Sequence, residues 1–237
     1  MKCTINPDYL FLKDFLHSLP FLFSSRGDII HTGRNILKRY QIGGCNIIVK
    51  SFKIPNLINR FAYISIRKSK ACRSYKNAKI LLAKGINTPI PIAYIENYSW
   101  GLNQSFYISL ECPYKRDMRE FWYKPEIGDR HFILEAFAHF TADMHNKGIL
   151  HRDYSAGNIL FDLDTNNNPV FSLVDINRLK FEIVREKEGY KNFAHLWLSD
   201  EAYKIIAYHY ASARGFKPDH AIKQICYYKD KFMKSKR

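Results

Sequence analysis

The chain has 237 residues, with 37 Lys and Arg against 22 Asp and Glu, and a formal net charge of +15. That length suits one large domain or two small lobes around a buried core, and 46% apolar with 15% aromatic residues excludes a disordered chain. The charge favours anionic partners, whether nucleic acid, phosphorylated small molecules or an acidic membrane face, without choosing among them.

No uncharged apolar run approaches the roughly 18–20 residues that a membrane span needs. The apolar segment Tyr9–Phe23 is interrupted by Lys13, Asp14, His17 and Pro20 and lacks a signal-peptide layout, so a secreted protein is not expected. Cys3, Cys45, Cys72, Cys112 and Cys226 are odd in number and share no paired spacing, which predicts reduced thiols in a cytoplasmic protein in place of a disulfide framework or zinc site. Residues 5–23 read as an amphipathic lead-in, with core packing favoured over membrane docking.

Strands are predicted over Ile29–Thr32, Ile36–Ile42 and Asn46–Phe52, joined by Gly33-Arg34-Asn35 and by a Gly43-Gly44 hairpin turn. A turn that covers phosphates, followed by a strand that projects a lysine onto them, is the order of a nucleotide-clamping lobe. Gly33 and Arg34 are thus candidate nucleotide-binding residues, although a lone glycine reads equally well as a hairpin residue. Lys50 ends the apolar run Ile47-Ile48-Val49, and a lysine there needs an anionic partner to offset desolvation. A helix follows near Ala71–Lys84, with Ala71, Tyr75, Ala78 and Leu82 on one face and Gly85 as its stop. No Asp or Glu occurs between Lys50 and Glu96, so the helix glutamate that pairs the strand lysine in protein kinases is missing, and Asn77 is the nearest positional substitute. Arg67, Lys68, Lys70, Arg73, Lys76 and Lys79 form either a solvated face or one turned to an anionic substrate or membrane. Thr88-Pro89-Ile90-Pro91 cannot be helical and leads into a strand at Ile92–Glu96. Asn97–Asn103 is a turn and Ser105–Leu110 another strand. Glu111-Cys112-Pro113-Tyr114 then sits where a hinge would offer backbone groups to an adenine ring, so Glu111 is a nucleotide-site candidate, a structural role being equally open. The boundary divides residues 1–112, the clamping lobe, from 113–237, the catalytic lobe.

Arg130–Lys147 is a predicted core helix, with Ile133, Phe137, Phe140 and Met144 at three- and four-residue steps and Gly148 as its end. Its His139 and His145 read as packed or surface histidines before ligands. Next come Leu150-His151-Arg152-Asp153 and, five residues after the aspartate, Asn158. Strands at Ile159–Phe161 and Phe171–Val174 flank an Asp164–Pro169 turn and deliver Asp175 back toward Asp153. This is the layout of a phosphotransferase catalytic loop: Asp153 faces an acceptor hydroxyl, while Asn158 and Asp175 hold magnesium against nucleotide phosphates. His151 and Arg152 brace the loop. Ser155 stands where many serine/threonine kinases carry lysine, so positive charge on the acceptor side must come from elsewhere. Asn177 replaces the usual glycine, which argues against a flipping activation switch. Helices near Tyr190–Trp197, Glu201–Ala213 and Asp219–Phe232, the last opened by Pro218, finish the chain before a basic, frayed Lys229–Arg237 tail.

Together these features predict an α+β, bilobal protein-kinase-like fold with a small antiparallel-sheet N-lobe and a mainly helical C-lobe. Gly33-Arg34-Asn35, Val49-Lys50, Arg73–Leu82 running into Gly85–Pro91, His151–Leu160 and Val174–Arg178 resemble the bacterial lipopolysaccharide core kinases, which phosphorylate 3-deoxy-octulosonic acid (Kdo) or heptose. The resemblance implies ATP and Mg²⁺, a sugar hydroxyl on an anionic glycolipid as acceptor, and a cytoplasmic location with peripheral contact at the inner membrane. The missing helix glutamate and single loop glycine keep a pseudokinase-like nucleotide-binding scaffold as the alternative. A protein kinase is disfavoured by the short segment after Asp175, and nucleic-acid binding by the lack of any RNA-module pattern of aromatic and basic residues.

Overall fold

A computed structural model describes residues 1–54, 68–98, 101–123, 126 and 130–235. Arg67 of the basic run, Ser99 and Trp100 of the predicted turn and the last two residues of the tail lie outside them. The chain divides into two compact units, Met1–Pro113 and Tyr114–Arg237.

The first unit is built on a six-stranded antiparallel sheet in the order β1-β5-β6-β4-β3-β2. Its strands are β1 (Lys2–Ile5), β2 (Asp28–His31), β3 (Asn35–Ile42), β4 (Cys45–Phe52), β5 (Pro91–Tyr98) and β6 (Leu102–Leu110). The Gly43-Gly44 hairpin forms as the dipeptide predicts: both residues have positive φ (58° and 76°), and Ile42 pairs directly with Cys45. β1 had no sequence signal because it is short; it pairs along β5 with Lys2 opposite Glu96.

One face of the sheet carries α1 (Lys13–Leu22). Leu12, Leu16, Leu19 and Phe23 pack there against Ile47, Val49, Ile95, Phe106 and Ile108, which is core packing for the lead-in. The helix's other residues include Phe21, 82% exposed. Side chains alternate along β4, so Lys50 and Phe52 point opposite to Ile47 and Val49. Phe52 packs with Tyr94 and Tyr107 against Ala71, Cys72 and Tyr75 of α2 (Lys70–Ala83). Lys50 therefore lies on the α2 face, its Nζ 5.5 Å from the Phe52 ring centroid. Ser69 caps α2, its Oγ accepting from the Cys72 N–H at 3.0 Å. Leu82, expected on the buried face, is exposed, and Leu81 is buried in its place. The buried stripe runs along Ser74, Asn77 and Leu81, and its polar members gave no hydrophobic signal. In the basic run Lys76 and Lys79 face solvent, whereas Lys70 and Arg73 are half-buried.

The second unit contains a β7–β9–β10 sheet (Arg116–Asp117, Ile159–Leu163, Pro169–Leu173) and a β8–β11 pair (Ile149–His151, Leu179–Phe181). Its described α-helices are α3 (Glu120–Tyr123), α4 (His131–Asn146), α5 (Glu186–Asn192), α6 (Asp200–Arg214) and α7 (Pro218–Lys234). α4 buries Ile133, Phe137 and Met144 as the periodicity predicts, together with Thr141 and His145. The helix expected at Tyr190–Trp197 starts earlier and ends at Asn192, continuing as a 3₁₀ turn over Phe193–His195. The tail is not frayed at its start: Lys229 is buried and pairs with Asp200 and Asp230, because α7 packs on α6.

Lys38 is a buried cation of the first unit. Its ammonium donates to the carbonyls of Phe23 (2.5 Å), at the C-cap of α1, and of Ser24 and Arg26 (2.9 Å) just beyond, the last also accepting from the Tyr40 hydroxyl. Replacing it by methionine keeps the volume and takes that donor from the Phe23 and Ser24 carbonyls, Arg26 retaining the Tyr40 hydroxyl. Lys38→Met should lower stability by about 2 kcal/mol in urea unfolding, in line with loss of hydrogen bonds from a charged donor.

Candidate active site

The loop between β8 and β9 is organised by a histidine with no exposed surface. The His151 Nδ1 accepts the Asp153 backbone N–H at 3.2 Å, which leaves Nε2 to donate to the Val174 carbonyl, also at 3.2 Å. Burial pushes its pKa down, against weaker opposing pulls from the Val174 carbonyl and from Asp175 and Asp153, so the ring is held neutral in one tautomer. That ring joins the start of the loop to the end of β10. A second link is made by backbone: the Val174 N–H donates to the Asn158 carbonyl at 3.0 Å.

Asn158 closes the loop on itself. Its Nδ2 donates to the Asp153 carbonyl at 2.9 Å, which orients the amide so that Oδ1 is the atom it presents elsewhere. Antiparallel pairing of β9 with β10, Leu173 opposite Ile159, returns the chain so that Asp175 follows directly. Asp175 adopts a left-handed backbone (φ 52°, ψ 43°), a conformation that costs energy for a non-glycine residue and is held here by its surroundings. Asn177 Nδ2 donates to Asp175 Oδ1 at 2.5 Å, fixing the carboxylate. Asp153, Asn158 and Asp175 are thereby brought into one hydrogen-bonded loop system. An amide oxygen and a carboxylate suit a hard divalent cation that takes its remaining ligands from phosphate and water.

Two arginines flank this system. Arg178 Nη1 lies 3.4 Å from Asp153 Oδ2. The Arg119 side chain, paired with Asp117 at 2.7 Å, passes close over the loop: a Cβ built on Gly157 would sit 3.3 Å from its Nε. Behind the loop, Tyr154 is buried with its hydroxyl 2.8 Å from Thr141 Oγ1 and its ring stacked on Phe137.

The loop is also tied to the helices by a directed chain. Arg214 donates to the Tyr210 hydroxyl (3.2 Å), which donates to His145 Nδ1 (2.9 Å). His145 Nε2 donates to Asn192 Oδ1 (3.0 Å), and Asn192 Nδ2 donates to the His151 carbonyl (2.8 Å). Gly189 makes this possible, since a Cβ there would lie 2.1 Å from the Tyr210 oxygen. Asn192, Tyr210 and Arg214 were missed by sequence reasoning, and an isolated asparagine on a short helix carries no signal that could have found the first of them.

In the first unit, Gly33 and Arg34 occupy the exposed β2–β3 turn. Lys50 stands in β4, opposite Leu37 and Tyr107. The Glu111 carboxylate is engaged by Arg39 at 2.9 and 3.1 Å from Nε, and its backbone N–H donates to the Asn46 carbonyl at 2.9 Å. The side chain thus has a structural partner. Asn77, proposed opposite Lys50, is buried on α2.

Comparison with known proteins then separates this arrangement from other kinase-like chains. A profile for the lipopolysaccharide kinase (Kdo/WaaP) family matches residues 56–212, most of the chain. The chain belongs to that family. The matched span includes Glu111, Asp153, Asn158 and Asp175, whereas Gly33, Arg34 and Lys50 precede it. Among solved structures, one described as WaaP in complex with acyl carrier protein superposes with a TM-score of 0.68 at 18% identity, covering 99% of both chains. That likeness shows the bilobal kinase-like fold. No curated protein sequence matches the chain. As a member of the lipopolysaccharide kinase family, the protein is a kinase of lipopolysaccharide biosynthesis. None of its described helices is long and apolar enough to cross a membrane.

The buried chain behind the loop has a consequence for pH. Burial above all pushes the pKa of His145 down to about 3 from its ordinary 6.5, the Asn192 hydrogen bond opposing and Arg214 adding to the shift. Between those values the unfolded state binds the proton and the folded state does not. The stabilising contribution is therefore complete above about 6.5 and is lost as pH falls toward 3, a change on the order of a few kcal/mol. Melting temperatures from pH 7 to 4 should fall more steeply for the wild type than for His145→Gln.

Proposed function

We propose that the protein transfers the γ-phosphoryl group of ATP to a sugar hydroxyl, on Kdo or heptose, of the lipopolysaccharide core. The observation that carries this reading is the single loop system in which His151 and Asn158 hold Asp153 and Asp175 in register. Asp153 is the catalytic residue, orienting the acceptor hydroxyl and accepting its proton as the bond to phosphorus forms. Asn158 and Asp175 are the magnesium ligands, and Mg²⁺ held there supplies charge neutralisation across the phosphate oxygens.

Residues 1–112 act as the nucleotide-clamping lobe and 113–237 as the catalytic lobe. Lys50 serves the phosphates, Gly33 and Arg34 cover them, and Glu111 meets the adenine through its carbonyl, because its carboxylate and N–H are engaged elsewhere. Positive charge on the acceptor side, which Ser155 cannot supply, comes from Arg178 beside Asp153 and Arg119 beside Gly157. The net charge of +15 concentrates an acceptor bearing phosphates and carboxylates, an effect that salt weakens. Leu10, Phe11 and Phe21 are exposed, and together with the net positive charge of the chain they support peripheral contact at the cytoplasmic face of the inner membrane.

The absence of any acidic residue between Lys50 and Glu96 motivates one alternative, a nucleotide-binding scaffold at an anionic membrane. The two part on chemistry. With Mg-ATP and Kdo–lipid A acceptors, wild-type protein should transfer phosphate about 10²–10⁴ times faster than Asp153→Ala, the range expected for a positioned general base. Equal, background rates across a broad sugar and glycolipid panel would leave only the scaffold. Asp175→Asn should abolish the magnesium-dependent rise in melting temperature on adding ATP, since ligand binding to the folded state must stabilise it. Arg178→Ala should raise the KM for acceptor while leaving that for ATP unchanged.

A further inference from the structure

Away from the loop, α4 and α6 present a second constellation of ligand-forming side chains. His131 and Glu135 are four residues apart, so they share one face of α4. His209 of α6 meets them there. One donor atom from each of the three lies within 4.8 Å of the others. His209 Nδ1 is 3.4 Å from Glu135 Oε1, and its ring sits edge-on to His131 with centroids 5.8 Å apart. One turn further along α4, His139 flanks the same carboxylate, its Nε2 3.9 Å from Glu135 Oε1. None of these residues is used by the phosphoryl-transfer reading.

We propose that His131, Glu135 and His209 form a binding site for a transition-metal dication of the zinc class, distinct from the magnesium ligands. Two imidazole nitrogens, borderline donors, joined by one carboxylate oxygen favour Zn²⁺, Ni²⁺ or Cu²⁺ over Mg²⁺, which takes oxygen and holds its water. Three protein ligands leave a fourth position for water, or for His139 from the adjacent turn. Tetrahedral metal–ligand bonds of about 2.0–2.2 Å set donors about 3.3–3.6 Å apart, so the widest pair in the cluster must close by up to roughly 1.3 Å. His131 is exposed while Glu135 and His209 are half-buried, so side-chain rotation supplies that movement without disturbing the core. The alternative role for the cluster is a surface ion pair between Glu135 and protonated histidines, which needs no metal. Binding would clamp α4, the helix that runs through Gly148 into the catalytic strand, to α6.

The test uses full-length, tag-free protein stripped with a chelator and assayed in excess Mg²⁺. Calorimetric titration with Zn²⁺ should give one equivalent bound, and Co²⁺ substitution should give visible absorption without a thiolate charge-transfer band. Zn²⁺ should raise the melting temperature. Glu135→Gln and His131→Ala, both at accessible positions, should each weaken Zn²⁺ at least about tenfold and remove that rise. His209→Gln should do the same, with circular dichroism checking that it folds. Unaltered affinity in Glu135→Gln and His131→Ala, a thiolate band with Co²⁺, or no Zn²⁺ uptake by the wild type would each overturn the proposal.

Discussion

A single buried imidazole holds the proposed catalytic loop together. His151 has no exposed surface, and each ring nitrogen is committed to a backbone group: one accepts from Asp153, the other donates to Val174. A charged ring would lose the acceptor for the Asp153 N–H and carry an unsolvated charge, so burial and hydrogen bonding enforce the same neutral tautomer. The two segments it joins carry Asp153 and Asp175. Their registration therefore rests on a residue that need never touch a substrate.

The scaffold behind that ring is itself polar, which is uncommon for a helical core. Arg214, Tyr210, His145 and Asn192 form an uninterrupted donor-to-acceptor series ending on the His151 carbonyl. Each member is satisfied, so the series can rigidify the core without the penalty of an orphaned polar group. It also explains a glycine inside α5: any side chain at Gly189 would collide with the Tyr210 oxygen. The aromatic packing of Phe137, Tyr154 and Phe193 around the same point fills the space the polar groups leave.

Legibility in the sequence followed the physical origin of each feature. Elements set by local rules were readable: the Gly43-Gly44 turn, the β3 and β4 strands, the apolar spacing of α4 and the proline that opens α7. The order His151, Asp153, Asn158, Asp175 was readable because it concentrates unusual chemistry within a short span. What escaped depended on contacts distant along the chain. β1 is a strand only because β5 lies beside it, and Leu81 replaces Leu82 because polar Ser74 and Asn77 share the buried side of α2. Lys229 looks like part of a charged tail until Asp200, on another helix, is set against it. Asn192 and Gly189 owe their roles wholly to the position of Tyr210. The family resemblance held, its profile covering residues 56–212, while Gly33, Arg34 and Lys50, assigned to the nucleotide from strand order, the apolar run before Lys50 and the resemblance itself, precede that span.

The placement of β1 bears on how the first unit is made in the cell. Lys2 to Asn6 find their partner in β5, whose Ile92 to Glu96 leave the ribosome only some ninety residues later. Until then β1 has no partner strand, and the apolar side of α1 has only the β3–β4 part of its sheet. Pairings this far apart close slowly, since the entropy of the intervening loop is lost before any contact is gained. The segment from Lys2 to Leu22 consequently keeps part of its apolar side uncovered until β5 has been made.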